Sequence, residues 1–90
     1  MAGNFYQGSK NQNNEFKYEI VSHIGSLASN ANGWKKEVNI VSWNGRQPRL
    51  DIRDWNADHS RMGRGASLSR PECENLVSLL KDFDYLKAGI

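Results

Sequence analysis

WKKEVNIVSWNGRQPRLDIRDW, residues 34–55, decides the fold. Two stretches rich in β-branched and aromatic residues flank Asn44-Gly45. That dipeptide is a strong short-range hairpin signal, because a type I′ turn needs positive φ at both central residues. Strand alternation then sorts the side chains onto two faces. Val38 and Ile40 point one way on the leading strand, and Lys35, Glu37, Asn39, Val41 and Trp43 the other. On the returning strand Leu50 and Ile52 share one face, as apolar residues seeking a core. Arg49, Asp51, Arg53 and Trp55 share the opposite face.

Working outward, FKYEIVSHIGSLAS (residues 16–29) reads as an earlier strand. Tyr18, Ile20, Ser22 and Ile24 alternate with Glu19, Val21, His23 and Gly25, and Gly25 marks a bend or bulge. Asn30-Ala31-Asn32-Gly33 supplies turn chemistry. Beyond residue 55, a polar stretch with Gly63 and Gly65 leads into a short fourth strand, GASLS. Ser69-Arg70-Pro71-Glu72 is a capping box with proline in the first helical turn. The spacing predicts a helix from there to Phe83 or Leu86. Its apolar stripe is Cys73, Leu76, Val77, Leu80 and Phe83, widened by Leu79 and Leu86. A stripe this wide fits packing on one sheet or on a second copy of itself.

The predicted fold class is therefore α+β. A curved four-stranded antiparallel sheet is followed by a C-terminal helix (ββββα), forming one domain over residues 15–90. Residues 1–14, built of Gly, Asn, Gln and Ser with two aromatics, show no periodicity and read as a disordered tail. One helix covers one face of a sheet, so the other face meets water, a partner or a ligand.

A chain of 90 residues buries only about 60–65% of its unfolded surface, so the fold is marginal alone. Disulfides, metals or oligomerisation remedy this. The single Cys73 makes no internal disulfide, and one Cys with the separated His23 and His59 is no zinc pattern. No metal and no cofactor is expected, which leaves oligomerisation as the common remedy. No apolar run reaches the ~20 residues of a membrane span, and no signal peptide opens the chain. No membrane partner is expected, and the localisation is cytoplasmic, with nucleoid association if the source is bacterial.

The formal net charge is +2, but the distribution says more. Lys35, Lys36, Arg46, Arg49, Arg53, Arg61, Arg64 and Arg70 fall between Trp34 and Arg70. Glu72, Glu74, Asp82 and Asp84 fall on the helix and just past it. A basic sheet with a more acidic helix points to a polyanion on the sheet. The candidate surface is the face away from the helix: Lys35, Asn39 and Trp43 from one strand, Arg49, Arg53 and Trp55 from the next. Arg46 lies just past the turn, Arg64 before the fourth strand, and Trp34 and Lys36 at the border. Exposed bases stack on aromatic rings, for about 1–3 kcal/mol per base, and phosphates follow Arg and Lys. Duplex hides its base faces, so the expected ligand is single-stranded. Each residue also has a plainer role. Trp43 and Trp55 fit a core, Trp34 a packing anchor after a turn, and Arg53 an ion pair with Asp51, Asp54 or Glu37.

The segment WKKEVNIVSWNGRQPRLDIRDWNADHSRMGRGASLSRPECENLVSLL resembles the positive cofactor four family of transcriptional coactivators, especially its bacterial homologues. Trp43-Asn44-Gly45-Arg46, the L-D-I-R-D-W strand, G-R-G-A-S-L-S and the capped helix carry the likeness. The resemblance implies a ββββα subunit that dimerises through helices and sheet edges, with Leu76, Leu79, Leu80 and Phe83 at the interface. It also implies contacts to single-stranded DNA from Trp43, Arg46, Arg53, Trp55 and Arg64. The eukaryotic pattern has an aromatic pair after D-I-R, whereas here Asp54 precedes the single Trp55.

The leading expectation is sequence-tolerant single-stranded DNA binding in transcription, replication or repair, with the machinery of those processes as a further partner class. RNA binding through the same face and a protein-interaction module are the alternatives. An enzyme is not expected, since no nucleophile-base arrangement, phosphate loop or paired carboxylate stands out.

Overall fold

The computed structural model describes residues 16–90, so the expected tail over residues 1–14 lies outside the described residues. Four strands follow in chain order: β1 (Tyr18–Ser29), β2 (Lys35–Trp43), β3 (Arg49–Trp55) and β4 (Met62–Leu68). Each pairs antiparallel with the next in one open sheet. Helix α1 (Arg70–Lys81) and the short α2 (Tyr85–Ala88) complete the chain. The expected order of four antiparallel strands and a C-terminal helix is the observed one.

Asn44 and Gly45 turn the chain with φ of 54° and 75°, as a type I′ turn requires. The connection is nevertheless five residues long, because β3 starts at Arg49. Pro48 has no N–H to give a ladder. The Ser42 hydroxyl instead donates to the Arg46 carbonyl at 2.8 Å.

β1 departs from simple alternation. It has 12 residues where β2 has 9, and the three extra residues enter at register shifts between Ile20 and Ser22, His23 and Gly25, and Ser26 and Ala28. Each bulge resets which side chains face inward. Tyr18, Ile20, His23 and Ser26 thereby align with Trp43, Val41, Asn39 and Glu37. Gly25 adjoins one of these bulges, and Ser22 pairs with Ile40 on the other face.

The sheet curls strongly. Tyr18 pairs with Trp43 at one end of β2, and Trp55 pairs with Lys35 at the other. Eight residues separate those ends, roughly 26 Å on a flat strand. The Tyr18 and Trp55 rings are nevertheless only 5.2 Å apart, centre to centre. The inner, concave face therefore closes on itself, and the core sits there. Tyr18, Val41 and Trp55 are its buried apolar residues, with Glu37, Asn39 and Asp51 buried among them. This corrects the expected division of faces. Leu50 and Ile52, expected to seek a core, are only half-buried, as are Val38 and Ile40 on β2.

α1 begins at the expected capping box. Ser69 Oγ accepts the Glu72 N–H, and the Ser69 N–H donates to the Glu72 carboxylate at 2.7 Å. That backbone bond is the main reason the Glu72 carboxyl lies below its ordinary pKa. The helix stops at Lys81, short of the expected Phe83 or Leu86. Asp84 then caps α2 by accepting the Lys87 N–H, and Gly89 ends it at φ 81°. Among the described elements α1 touches only β3 and β4, and it buries no residue. Leu76, Leu79, Leu80 and Phe83, expected at a dimer interface, are exposed in the single chain.

Candidate nucleic-acid interface

One closed circuit of side chains lies on the concave face toward the turn end of the β2–β3 hairpin. Asp51 is fully buried and pairs with Arg53 in bidentate fashion, Nε to Oδ2 at 2.7 Å and Nη2 to Oδ1 at 2.8 Å. The Arg53 guanidinium then lies 4.7 Å from the Trp43 ring centre, within cation–π range. The Trp43 Nε1–H donates to Ser67 Oγ at 3.1 Å, and the Ser67 hydroxyl donates to Asp51 Oδ1 at 2.8 Å. Three strands contribute. The Asp51 and Arg53 spacing of two puts both on one face of β3, and pairing brings Ser67 opposite Asp51 and Gly65 opposite Arg53. A β-carbon at Gly65 would collide with Arg53 Cβ and the Ile52 carbonyl, so glycine there makes room for the arginine stem. Arg53 Nη1 also donates to the Gly63 carbonyl at 3.3 Å. At least three of the five guanidinium N–H donors are thus engaged internally. The buried carboxylate offsets the charge, and the guanidinium held this way packs against Trp43.

A second polar node braces the other half of the concavity. Glu37 accepts from Asn39 Nδ2 at 3.0 Å and lies 2.9 Å from His59 Nε2 and 3.6 Å from His23 Nδ1. Burial pushes its carboxyl up, but the hydrogen bonds from Asn39 and His59 and the attraction of both histidines outweigh that. The net pKa is below the ordinary 4.5. His59 reaches this node from the β3–β4 connection at φ 60°, and its carbonyl accepts the Tyr18 hydroxyl at 2.6 Å. The connection is thereby strapped across Trp55, whose ring centre is 5.4 Å from the His59 ring.

The expected site residues separate accordingly. Trp43 is half-buried and Arg53 meets it, as the strand alternation suggested. Trp55 was expected to be open and is not: at 0% exposure it is walled in by Tyr18 and His59. Asn39 is equally buried, spent on Glu37 and on His23 Nδ1 at 2.7 Å. Neither presents a surface to a ligand in this chain. Arg49 is exposed beside α1, where it contributes to the lowered pKa of Glu72, and it lines a cleft with Ile40, Leu50 and Cys73. Arg64 is exposed in the β4 irregularity, where three residue steps from Gly65 to Met62 match two from Arg53 to Trp55. Trp34 is half-buried and tied into the turn by its carbonyl, which accepts the Asn30 N–H at 2.7 Å. Lys35 and Lys36 are exposed at the far end of β2, and Lys36 is 3.9 Å from Asp54. Arg46 is exposed directly after the hairpin turn, and among the described residues Lys35, Arg46 and Arg64 form no ion pair.

Sequence reasoning missed Ser67, Gly65, His59 and Phe16. The first two need the β3–β4 register, which no short-range signal supplies. Phe16 is 41% exposed and its ring stacks on Trp43, 5.8 Å between centres at 27°. Among the described residues no group of three or more His, Cys, Asp or Glu could hold a metal ion, and no helix is long and apolar enough to cross a membrane.

Comparison with known proteins locates the chain. Residues 30–79 match the model of the family described as Transcriptional Coactivator p15 (PC4). An uncharacterized protein of Treponema pallidum (strain Nichols) is 44% identical over 68 residues, covering 76% of this chain and 80% of that protein.

Proposed function

The chain belongs to the transcriptional coactivator p15 (PC4) family, a nucleic-acid-binding and non-enzymatic one, and from that premise we propose that it binds single-stranded DNA as a homodimer. The observation that carries this reading is Trp43. Its ring is half-open, fixed on one edge by Ser67 and against the guanidinium of Arg53, and it adjoins the exposed Arg46. A pre-oriented ring loses little freedom on stacking, and a base stacked on it gains about 1–3 kcal/mol. Lys35, Arg46 and Arg64 are exposed and have no acidic partner among the described residues, so they attract phosphate without first giving up an ion pair there. Sequence tolerance follows, because every base offers a flat face.

The dimer reading is supported by the uncovered helix. Leu79 is 75% exposed, with Leu76 and Leu80 exposed on the same helix and Phe83 just past it, apolar side chains that a second copy would cover. Transcription, replication and repair all present single strands, and the family favours a transcriptional role.

Fluorescence titration with a thymidine oligomer and a duplex of equal charge, at two salt concentrations, tests the reading. Quenching by the single strand at lower concentration than by the duplex, with affinity falling as salt rises, is the expected result. Equal or tighter duplex binding overturns it, and a matched RNA oligomer that outcompetes the DNA reassigns the ligand.

A further inference from the structure

A stacking interface built on Trp43 alone is small, and Trp55 is sealed in the core. The concave end of the sheet nevertheless presents a second open ring. We propose that Phe16, at the entrance to β1, is the second base-stacking residue of the interface. The inference rests on the single-strand reading above and names a residue that reading does not include.

Three observations carry it. First, Phe16 lies against Trp43 in near-parallel stacking, 27° between planes, so the two rings extend one apolar surface. Phe16 is also 6.1 Å from Tyr18, which backs the pair from the core. Second, the segment is fastened. Asn44 accepts the Lys17 N–H through Oδ1 at 2.9 Å and donates its own N–H to the Lys17 carbonyl at 2.8 Å. The same asparagine that makes the hairpin turn, at φ 54°, thus holds the residue next to Phe16 in an extended pairing. Third, the surroundings suit a nucleic acid. Lys17 follows Phe16 in the chain and the Arg46 N–H donates to the Trp43 carbonyl at 3.0 Å; both side chains are exposed and, among the described residues, neither forms an ion pair, so two cations lie close in the chain to the two rings. A phenyl ring left 41% exposed beside an indole offers an open apolar face to a base.

The chemistry separates base stacking from a merely structural role. Phe16 carries no charge, so its removal costs stacking and leaves the phosphate contacts and the salt dependence intact. Titration of wild type, Phe16→Ala, Phe16→Leu and Phe16→Trp with a thymidine oligomer is the test. An abasic oligomer of equal length serves as the second probe, and thermal melts check folding. Expected are about tenfold weaker thymidine binding by the Ala and Leu variants, recovery in the Trp variant and an unchanged slope of log affinity on log salt. The abasic strand should bind all four proteins alike. Phe16→Ala affinity equal to or tighter than wild type overturns the proposal, as does an equal loss on the abasic strand. If wild type itself fails to bind any single strand, the underlying reading falls and the inference with it. Binding by wild type with an indifferent Phe16 removes the inference alone.

Discussion

Arg53 holds its guanidinium 4.7 Å from the ring centre of Trp43, and it can do so because Asp51 grips that guanidinium from below with two hydrogen bonds. The indole is therefore positioned by a carboxylate it never touches. Removing one partner of a buried ion pair strands the other charge, at a cost of about 3–5 kcal/mol. Asp51→Ala is expected to lower stability by that order in urea unfolding. Arg53→Lys, which cannot reproduce the fork, should also weaken oligonucleotide binding.

Gly65 gives a sharper contrast. A methyl group there collides with Arg53 Cβ and backbone, whereas one at Gly63 meets Asp54 Cβ at an ordinary 3.5 Å. Gly65→Ala should cost about 1–3 kcal/mol by overpacking and loosen Trp43. Gly63→Ala should be nearly neutral. Denaturation midpoints of the two variants, with near-ultraviolet circular dichroism of the indole, check both.

Direct stacking is read from the ligand side. Trp43→Ala is expected to weaken thymidine-oligomer binding by about 1–3 kcal/mol, roughly 5- to 150-fold. Trp55→Phe should leave affinity near wild type, because that ring is buried. Arg46→Ala should make the slope of log affinity on log salt shallower by about 0.7.

Acid should loosen the concave face. The Glu37 carboxyl has its pKa depressed below 4.5 in the folded chain, so its stabilising contribution is complete above that value. The contribution is lost as pH falls through the lowered pKa, where the folded state must take up a proton it resists. Between pH 5 and 3, wild type should lose more stability than Glu37→Gln, which has no proton to gain. Thermal melts across that range provide the comparison.

The helix supplies the last prediction. Leu79→Glu places a charge on the apolar stripe of α1 at a side chain that is 75% exposed. Sedimentation at micromolar concentration should show a dimer for wild type and a monomer for the variant. A monomeric wild type refutes the dimer.

Much of the architecture is legible before any coordinates. Asn44-Gly45 announces its own hairpin because few residues tolerate two positive φ values, and Ser69 with Glu72 announces the helix start because both capping bonds are local. The burial of Trp55 is not legible. Alternation states only that Trp55 shares a face with Arg53, and the register shifts of this sheet, in β1 and in the β3–β4 pairing between Arg53 and Trp55, leave no local signal in the sequence. Nor does Arg53 reveal its partner. Asp51 is two residues away on the same face, but so many acids lie near that only the register with Ser67 singles it out. Phe16 escapes notice because it precedes the periodic part of its strand.

The bulges in β1 have a consequence for crowding in the cell. β1 is an outermost strand, with its free backbone groups facing outward. Three inserted residues break the even spacing those groups would offer a visiting strand, so a stranger cannot zip along its length. Val21, Ile24 and Leu27 stand in the register gaps and are at least half-exposed. The chain can therefore carry greasy side chains along an open border without seeding endless fibrous polymerisation.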